Sequence, residues 1–392
     1  MSATGKRQTP RVPADLATTW PQVLAWRMRR QLLDPVGRVD APDVVRRLCG
    51  VQAQVPAAAA FAIGVRQAEP VPGAVDRALA DGLLMRTWAM RGTLHLLTPD
   101  EAGACLALMA AGRSWEKGSW VKTFGVAPDE MVALTEAVAD VLDDQVLTRE
   151  ELVAELGTRL VRPDLEAELR SGWGTVLKPI AWQGVLCHGP ASGNRITFAR
   201  PDRLLPAWTG LPEPEEAARA VVPAYLRAYG PATMERFDAW LTRGTSRKGM
   251  LRSWFAALGD DLLTVDVEGT SAYLLAEDAD ELAGTAPTAA VRLLPAFDQY
   301  VLGPGTAATE ILASERRAEV SRAGGWIAPV VVAAGRVAGV WDRDGREIDV
   351  RLFDDSGGGD GGGRDGGSGP PAGALDAAIE RMRDVVAALD PG

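Results

Sequence analysis

The stretch Leu84-Met-Arg-Thr-Trp-Ala-Met-Arg-Gly-Thr-Leu-His-Leu-Leu97 decides how this chain is read. Its apolar residues alternate instead of recurring every three or four positions, and Gly92 interrupts the run at its middle, so the stretch predicts two strands of a hairpin. Strand periodicity puts Thr93 and His95 on one face, with Arg91 on the same side, and Gly92 lets another molecule approach the backbone closely. The residues before it are helical in pattern. Over 21–33 the apolar residues recur at mixed three and four spacing, and a second helix starts where Asp40-Ala-Pro-Asp43 reads as a cap with proline near the first helical position. Further helical stretches are expected over 57–66 and 75–81. Between the second helix and the third lies Gly50-Val-Gln-Ala-Gln-Val-Pro56, in which Gln52 and Gln54 flank one small apolar residue where a helix would ordinarily continue with charges. Pro56 disfavours a helical conformation at the residue before it, so it is expected to end or kink that helix and leave the pair at or just past its C-terminus.

The same order, helices and then a hairpin, recurs twice. Helical stretches over 129–142, 148–156 and 175–183 precede strands at 185–189 and 195–199, and helices over 215–229, 233–240 and 247–258 precede strands at 262–267 and 272–275. Helices followed by a two-stranded hairpin is the winged-helix order, with the hairpin as the wing; no exact sequence repeat is visible, so the inference is one of order. In the third round the basic turn Arg243-Gly-Thr-Ser-Arg-Lys248 joins two helices at helix-turn-helix spacing, which makes Arg247 and Lys248 candidates for DNA phosphate. After residue 290 the pattern becomes strand-rich, at 291–298, 327–332, 336–341 and 347–353, with Ala334-Gly-Arg336 as a tight turn. Nine of the thirteen residues 357–369 are glycine, a composition suited to a flexible loop tethering a last amphipathic helix over 375–389. The fold class is therefore α+β: three tandem winged-helix domains over 15–124, 125–210 and 211–290, then a C-terminal β-rich domain over 291–392. Residues 1–14 are expected to fray.

Composition narrows the functional classes. The chain has 392 residues, 47% hydrophobic and 24% charged, with no apolar run near the 18 or so residues of a membrane span and no signal-peptide layout, so a cytoplasmic protein away from the membrane is expected. Cys49, Cys105 and Cys187 lie far apart, and His95 and His188 are the remaining soft ligands, which supports neither a disulfide framework nor a metal site. The glycine-rich stretch lacks a phosphate-loop context. Net charge is −10, yet residues 1–95 carry 13 Lys/Arg against 7 Asp/Glu, an early basic segment in an acidic protein. Arg27, Arg29, Arg30, Arg46 and Arg47 supply most of it and mark a candidate anion-binding face. Of Trp26, Trp88, Trp115 and Trp120, whose spacing suits a core, at most one is expected at DNA.

Three motifs in order, Gly50-Val-Gln-Ala-Gln-Val-Pro56, Arg86-Thr-Trp-Ala-Met-Arg-Gly-Thr-Leu-His-Leu-Leu-Thr-Pro-Asp100 and Leu293-Leu-Pro-Ala-Phe-Asp-Gln-Tyr-Val-Leu-Gly303, resemble the AlkZ-type bacterial DNA glycosylases across nearly the whole chain. The resemblance implies tandem winged helices with a C-terminal β-domain around duplex DNA, and excision of alkylated bases, including N7-alkylguanine adducts and interstrand crosslinks made by genotoxic natural products. The family's catalytic signature, Gln, an apolar residue, then Gln or Asp, falls here on Gln52, Ala53 and Gln54. Members with Gln in the second slot resemble the self-resistance branch. The family's Thr-x-His hairpin, which probes the groove beside the lesion, falls on Thr93 and His95. Arg47 and Arg91 are expected to contact phosphate. Asp298 reads as a structural or helix-capping carboxylate.

The chemistry fits such a substrate. N7-alkylguanine is already cationic, so its glycosidic bond breaks without a strong general acid, and the transition state gathers positive charge on the sugar. An amide is a poor base, and two glutamines act by placing water and aiming dipoles. The resulting expectation is a monomeric, monofunctional glycosylase that acts on double-stranded DNA carrying alkylated bases without metal or cofactor. The competing readings are a non-catalytic winged-helix DNA-binding regulator and a protein-contact scaffold.

Overall fold

The computed structural model describes residues 16–159, 163–353 and 370–390, and its architecture is mixed α+β. The described residues begin with strand β1 (Leu16–Thr18) and helix α1 (Trp20–Arg30). Helix α2 (Ala41–Arg47) starts as its cap predicts: the Asp43 amide donates to the Asp40 carboxylate at 2.9 Å, and Ala41, Val44 and Val45 are buried. Beyond it the chain reverses sharply at Cys49 and Gly50, with φ of 51° and 96°. A side chain at Gly50 would meet Leu97 at 2.8 Å and Met90 at 2.9 Å, so glycine lets the turn lie directly on the hairpin. Strand β2 (Val51–Gln52) follows, and then α3 (Pro56–Gly64) and α4 (Ala74–Ala80). Pro56 thus begins a helix, contrary to the expectation that it ends one. At the first helical position its missing N–H costs nothing.

Strands β3 (Met85–Trp88) and β4 (Leu94–Leu97) form the expected hairpin around a 3₁₀ turn at Met90–Gly92. Helices α5 (Pro99–Ala111), α6 (Gly118–Phe124) and α7 (Pro128–Val141), strand β5 (Leu147–Thr148), and helices α8 (Arg149–Arg159), α9 (Pro163–Arg170) and α10 (Leu177–Trp182) lead to a second hairpin of β6 (Cys187–His188) and β7 (Thr197–Ala199). The two hairpins join edge to edge. Arg86 pairs with His188 across β3 and β6, giving one six-stranded sheet in the order β2-β4-β3-β6-β7-β5. The seam is filled from one face by Trp88, stacked on Phe198 at 5.9 Å.

Helices α11 (Pro201–Leu204), α12 (Pro214–Tyr229), α13 (Met234–Thr242) and α14 (Lys248–Ala256) come next, then the hairpin β8 (Leu262–Val267) and β9 (Thr270–Leu275). Here β1 adds in parallel to β8, so a strand from before α1 joins the third hairpin. Helix α1 goes with it: Val23 and Trp26 pack against Val265, Val267 and Leu274, whereas Leu24 and Met28 join the C-terminal core. The expectation of a first unit from residue 15 did not include this bridging role, because a helix apolar on two faces shows no single partner in its sequence. Helix α5 drew no expectation for a related reason. It buries nearly its whole circumference, against α12 and in one core with Cys49, Met85, Met90 and Leu97, which leaves no amphipathic period to read.

After α15 (Ala279–Ala283) the C-terminal part is a four-stranded antiparallel sheet of β10 (Val291–Leu294), β11 (Val330–Ala333), β12 (Arg336–Asp344) and β13 (Glu347–Leu352), with α16 (Gln299–Leu302) and α17 (Arg317–Val320) between the first two. Ala334 and Gly335 form the expected turn, at φ of 49° and 80°. Asp298 is structural, as read: it caps α16 through the Tyr300 amide at 2.8 Å and grips Arg66 through two bonds of 2.7 Å, with both side chains fully buried. Removing one partner of such a pair typically costs about 3–5 kcal/mol. The last helix, α18 (Ala372–Leu389), is more than a tethered end, since Met382, Val385 and Val386 are buried in the C-terminal core and Arg381 donates to the carbonyls of Gln67 and Ala68. The stretch 357–369 lies outside the described residues. Among those described, no helix is long and apolar enough to cross a membrane, and no group of three or more His, Cys, Asp and Glu could hold a metal.

Candidate active site

Strand β2 pairs antiparallel with β4, putting Gln52 opposite His95, and the Ala53 amide continues the ladder to the Leu94 carbonyl at 2.7 Å. Gln52 therefore lies in a strand, not on a helix end, and Gln54 sits at a bend two residues on. Gln52 is 7% exposed. Gln54, just past the strand, is exposed, and its carbonyl accepts from the Leu94 amide at 3.4 Å, a long bond that leaves the oxygen open to another donor.

Arg91 organises the rest. It occupies the turn of the hairpin at φ 59° and donates to the Trp240 carbonyl at 3.0 Å and the Gln52 carbonyl at 3.3 Å. Thr93 Oγ1 stands 3.5 Å from the same Gln52 oxygen. His95 Nδ1 is 2.9 Å from the Thr93 carbonyl, and Nε2 is 3.5 Å from the Arg91 guanidinium. A carbonyl can only accept, so Nδ1 carries the proton and the Nε2 lone pair faces Arg91. Burial, reinforced by Arg91, pushes the His95 pKa down to about 3, which keeps the ring neutral at physiological pH. Arg91 itself is lowered to about 10, chiefly by burial, and stays charged.

This wiring corrects two expectations. His95 is fully buried, and in this conformation its ring faces Arg91 and Thr93 and presents no surface to a groove. Arg91 is not a free phosphate ligand, because its guanidinium already holds a backbone carbonyl, an amide and an imidazole. Thr93 is partly exposed at the edge of the cluster. Arg47 lies elsewhere: it lines a 610 Å³ cavity with Asp43, Asp100 and Glu101, and neither glutamine lines that cavity. Of the other early arginines, Arg27 is buried and donates to the carbonyls of Gly230 and Pro231 at 3.0 Å, and Arg30 pairs with Glu281 at 3.0 Å. These two charges fasten parts of the fold together, which composition alone could not distinguish from an anion-binding face.

Other cations do converge on the hairpin. A side chain at Gly92 would stand 3.6 Å from Lys178 of α10, and burial and then Arg243 lower the Lys178 pKa. Arg243 likewise acts on Arg91. It ends α13 in a left-handed conformation, φ 63°, at the start of the basic turn whose Arg247 and Lys248 are exposed and without a salt bridge among the described residues. Sequence reasoning pointed to that turn but passed over Arg243, and nothing in the sequence marked Lys178. The four tryptophans considered are core or partly buried residues; Trp26, Trp88 and Trp115 are at most 7% exposed.

Comparisons with known proteins agree with one another. A family model described as DNA glycosylase AlkZ-like matches residues 45–385. The interstrand DNA cross-link repair glycosylase of Streptomyces sahachiroi is 54% identical over 342 residues, 87% of this chain and 92% of that protein. The solved structure of Streptomyces sahachiroi DNA glycosylase AlkZ matches with a TM-score of 0.88 at 51% identity, covering 95% of this chain and 97% of that one.

Proposed function

The chain belongs to the AlkZ-like DNA glycosylases, and from that premise we propose that it releases N7-alkylated guanines from duplex DNA, bulky natural-product adducts and interstrand crosslinks among them, with Gln52 and Gln54 as its catalytic residues. The family makes it a DNA glycosylase; the substrate and the residue roles are this proposal's own. The observation that carries it is the Gln52 carbonyl held by Arg91 and Thr93 at the edge of a sheet, with Gln54 exposed beside it.

The two amides divide the work. Arg91 draws electron density from the Gln52 carbonyl, which makes that oxygen a poorer acceptor and the amide NH₂ a better donor toward the lesion's sugar or phosphate oxygens. The Gln54 oxygen, held only by a long bond, accepts from the attacking water and places it below the anomeric carbon as the glycosidic bond opens. No step needs a group that takes a proton from water early, because the leaving base is cationic before it departs. The product is an abasic site, formed without metal or cofactor by a monomer in the cytoplasm.

Three groups of helices closed by hairpins support a tandem winged-helix arrangement, in which Arg247, Lys248 and Arg243 contact phosphate and position the duplex. Gln in the second slot of the signature and the crosslink-repair relative together favour self-resistance to an alkylating natural product. Incubation with duplex carrying N7-methylguanine tests the core of this reading: wild-type protein releases the base, and Gln52→Ala with Gln54→Ala lowers the rate by at least ~10²-fold, the scale seen when a transition-state contact is lost. Equal release by the double variant would sink it. A winged-helix regulator would instead show unchanged DNA affinity and no release from either protein.

A further inference from the structure

Trp173 is the most exposed large apolar side chain among the described residues, at 70%. It sits in Ser171-Gly-Trp-Gly174, between α9 and α10, and the backbone beneath it is fixed. The Gly174 amide donates to the Ser171 carbonyl at 3.0 Å, the Trp173 amide stands 3.4 Å from Ser171 Oγ, and Gly174 adopts φ 60°. A side chain at Gly174 would meet the Trp88 ring at 2.3 Å, so the loop lies flat on Trp88, which is paired with Leu94 in the hairpin that holds Gln54. From Gly174 the chain passes directly into α10: the Lys178 amide donates to the Gly174 carbonyl at 2.9 Å, and the Lys178 side chain covers Gly92 at the hairpin tip. An indole on a fixed loop is thus held in water beside a tip where Arg91, Lys178 and Arg243 gather.

Burying that ring against an apolar partner is favourable, and cations beside it select a partner that is both flat and anionic. We propose that Trp173 stacks on a DNA base next to the alkylated nucleotide, while Lys178 and Arg243 hold the neighbouring phosphates; the inference rests on the glycosylase reading. Base–aromatic stacking is sequence-tolerant and substantial, and cation-lined aromatics of this kind recur where proteins grip unstacked nucleic acid. Trp173 is then a positioning residue. It stabilises the opened stack at the lesion and takes no part in breaking the glycosidic bond.

The test uses the full chain and a duplex with 2-aminopurine adjacent to N7-methylguanine. Binding of wild-type protein should change the 2-aminopurine fluorescence, and Trp173→Ala should abolish that change and weaken binding roughly 5- to 150-fold, the range that stacking supplies per base. Trp173→Phe should restore the fluorescence change and most of the affinity. At 70% exposure neither substitution disturbs the core, so unchanged circular dichroism is expected of both. If Trp173→Ala keeps wild-type affinity and fluorescence, the inference is overturned, and a protein partner for the indole becomes the better explanation. Should wild-type protein release no base while the fluorescence change still depends on Trp173, the glycosylase reading fails and the stacking contact stands.

Discussion

The two hairpins of the six-stranded sheet are built alike and used differently. In the first, edge strand β2 follows α2 and pairs with β4; in the second, edge strand β5 follows α7 and pairs with β7. The second residue of the first edge strand is Gln52, wired to Arg91 and Thr93. At the corresponding place in the second stands Thr148, whose amide and hydroxyl both bond Glu151, at 2.8 and 2.7 Å, closing the start of α8. One edge position caps a helix, and the other carries the residue proposed to be catalytic. Each hairpin also holds one of the chain's two histidines, and burial pushes both to a pKa of about 3. His95 has partners for both ring nitrogens; His188 has none among the described residues and stands edge-on to Trp88 at 5.1 Å and Phe198 at 5.3 Å. Burial and a shifted pKa therefore do not identify a site. What separates the two is whether the polar atoms are connected to a group that reaches solvent.

The largest expected effect comes from cutting that connection. Arg91→Ala should lower the rate of base release about 10²- to 10³-fold, because Gln52 loses its charged anchor and His95 its partner, while affinity for undamaged duplex changes only a few-fold. Thr148→Ala in the second hairpin should leave the rate alone and cost about 1 kcal/mol of stability, as lost caps do. Single-turnover kinetics beside urea melts would decide. A rate defect in Thr148→Ala, or a pure affinity defect in Arg91→Ala, would erase the distinction between the hairpins.

Much of this contrast was legible beforehand. The alternation in 84–97 located the first hairpin, the Asp40 cap located α2, and the glutamine pair stood out because amides replaced charges. What stayed hidden was long-range. Nothing local indicates that Arg86 will pair with His188 and fuse the hairpins, that the Trp240 carbonyl will claim Arg91, or that Arg27 will be buried against Gly230 and Pro231. Arginine reads as surface charge until the tertiary fold supplies carbonyls for it. Pro56 misled because a proline that cannot continue a helix is equally suited to begin one.

Acid should act on both hairpins. Each histidine has a native pKa far below the unfolded value near 6.5, so each contributes stability that is full above about pH 6.5 and falls as the pH drops toward 3. At pH 5.5 the loss is about 1.4 kcal/mol for each, or roughly twice that for the pair, relative to pH 7.5. His188→Leu should remove half of this sensitivity and leave base release at neutral pH unchanged. Denaturant midpoints across that range provide the measurement, and a wild-type curve flat between pH 7.5 and 5.5 would mean that neither ring is as dry as its surroundings imply.

The smallest effect is the most discriminating, because it differs in sign. His188→Leu at neutral pH replaces a ring with two unsatisfied nitrogens by an apolar side chain of similar volume, set against Trp88 and Phe198 and opposite Arg86 in the sheet. Replacing unpaired buried polar atoms with apolar ones removes a desolvation penalty, and the lost edge-to-face contacts offset part of it, leaving a gain of about 1 kcal/mol. The same change at His95 should destabilise, since it strands one side of Arg91 and leaves the Thr93 carbonyl with the Ala89 amide alone. Thermal melts of the two variants at pH 7.5 should shift in opposite directions. A loss at both positions would show that His188 is satisfied by something other than its aromatic neighbours, with ordered water bridging to the unpaired Arg86 Nε as the first place to look.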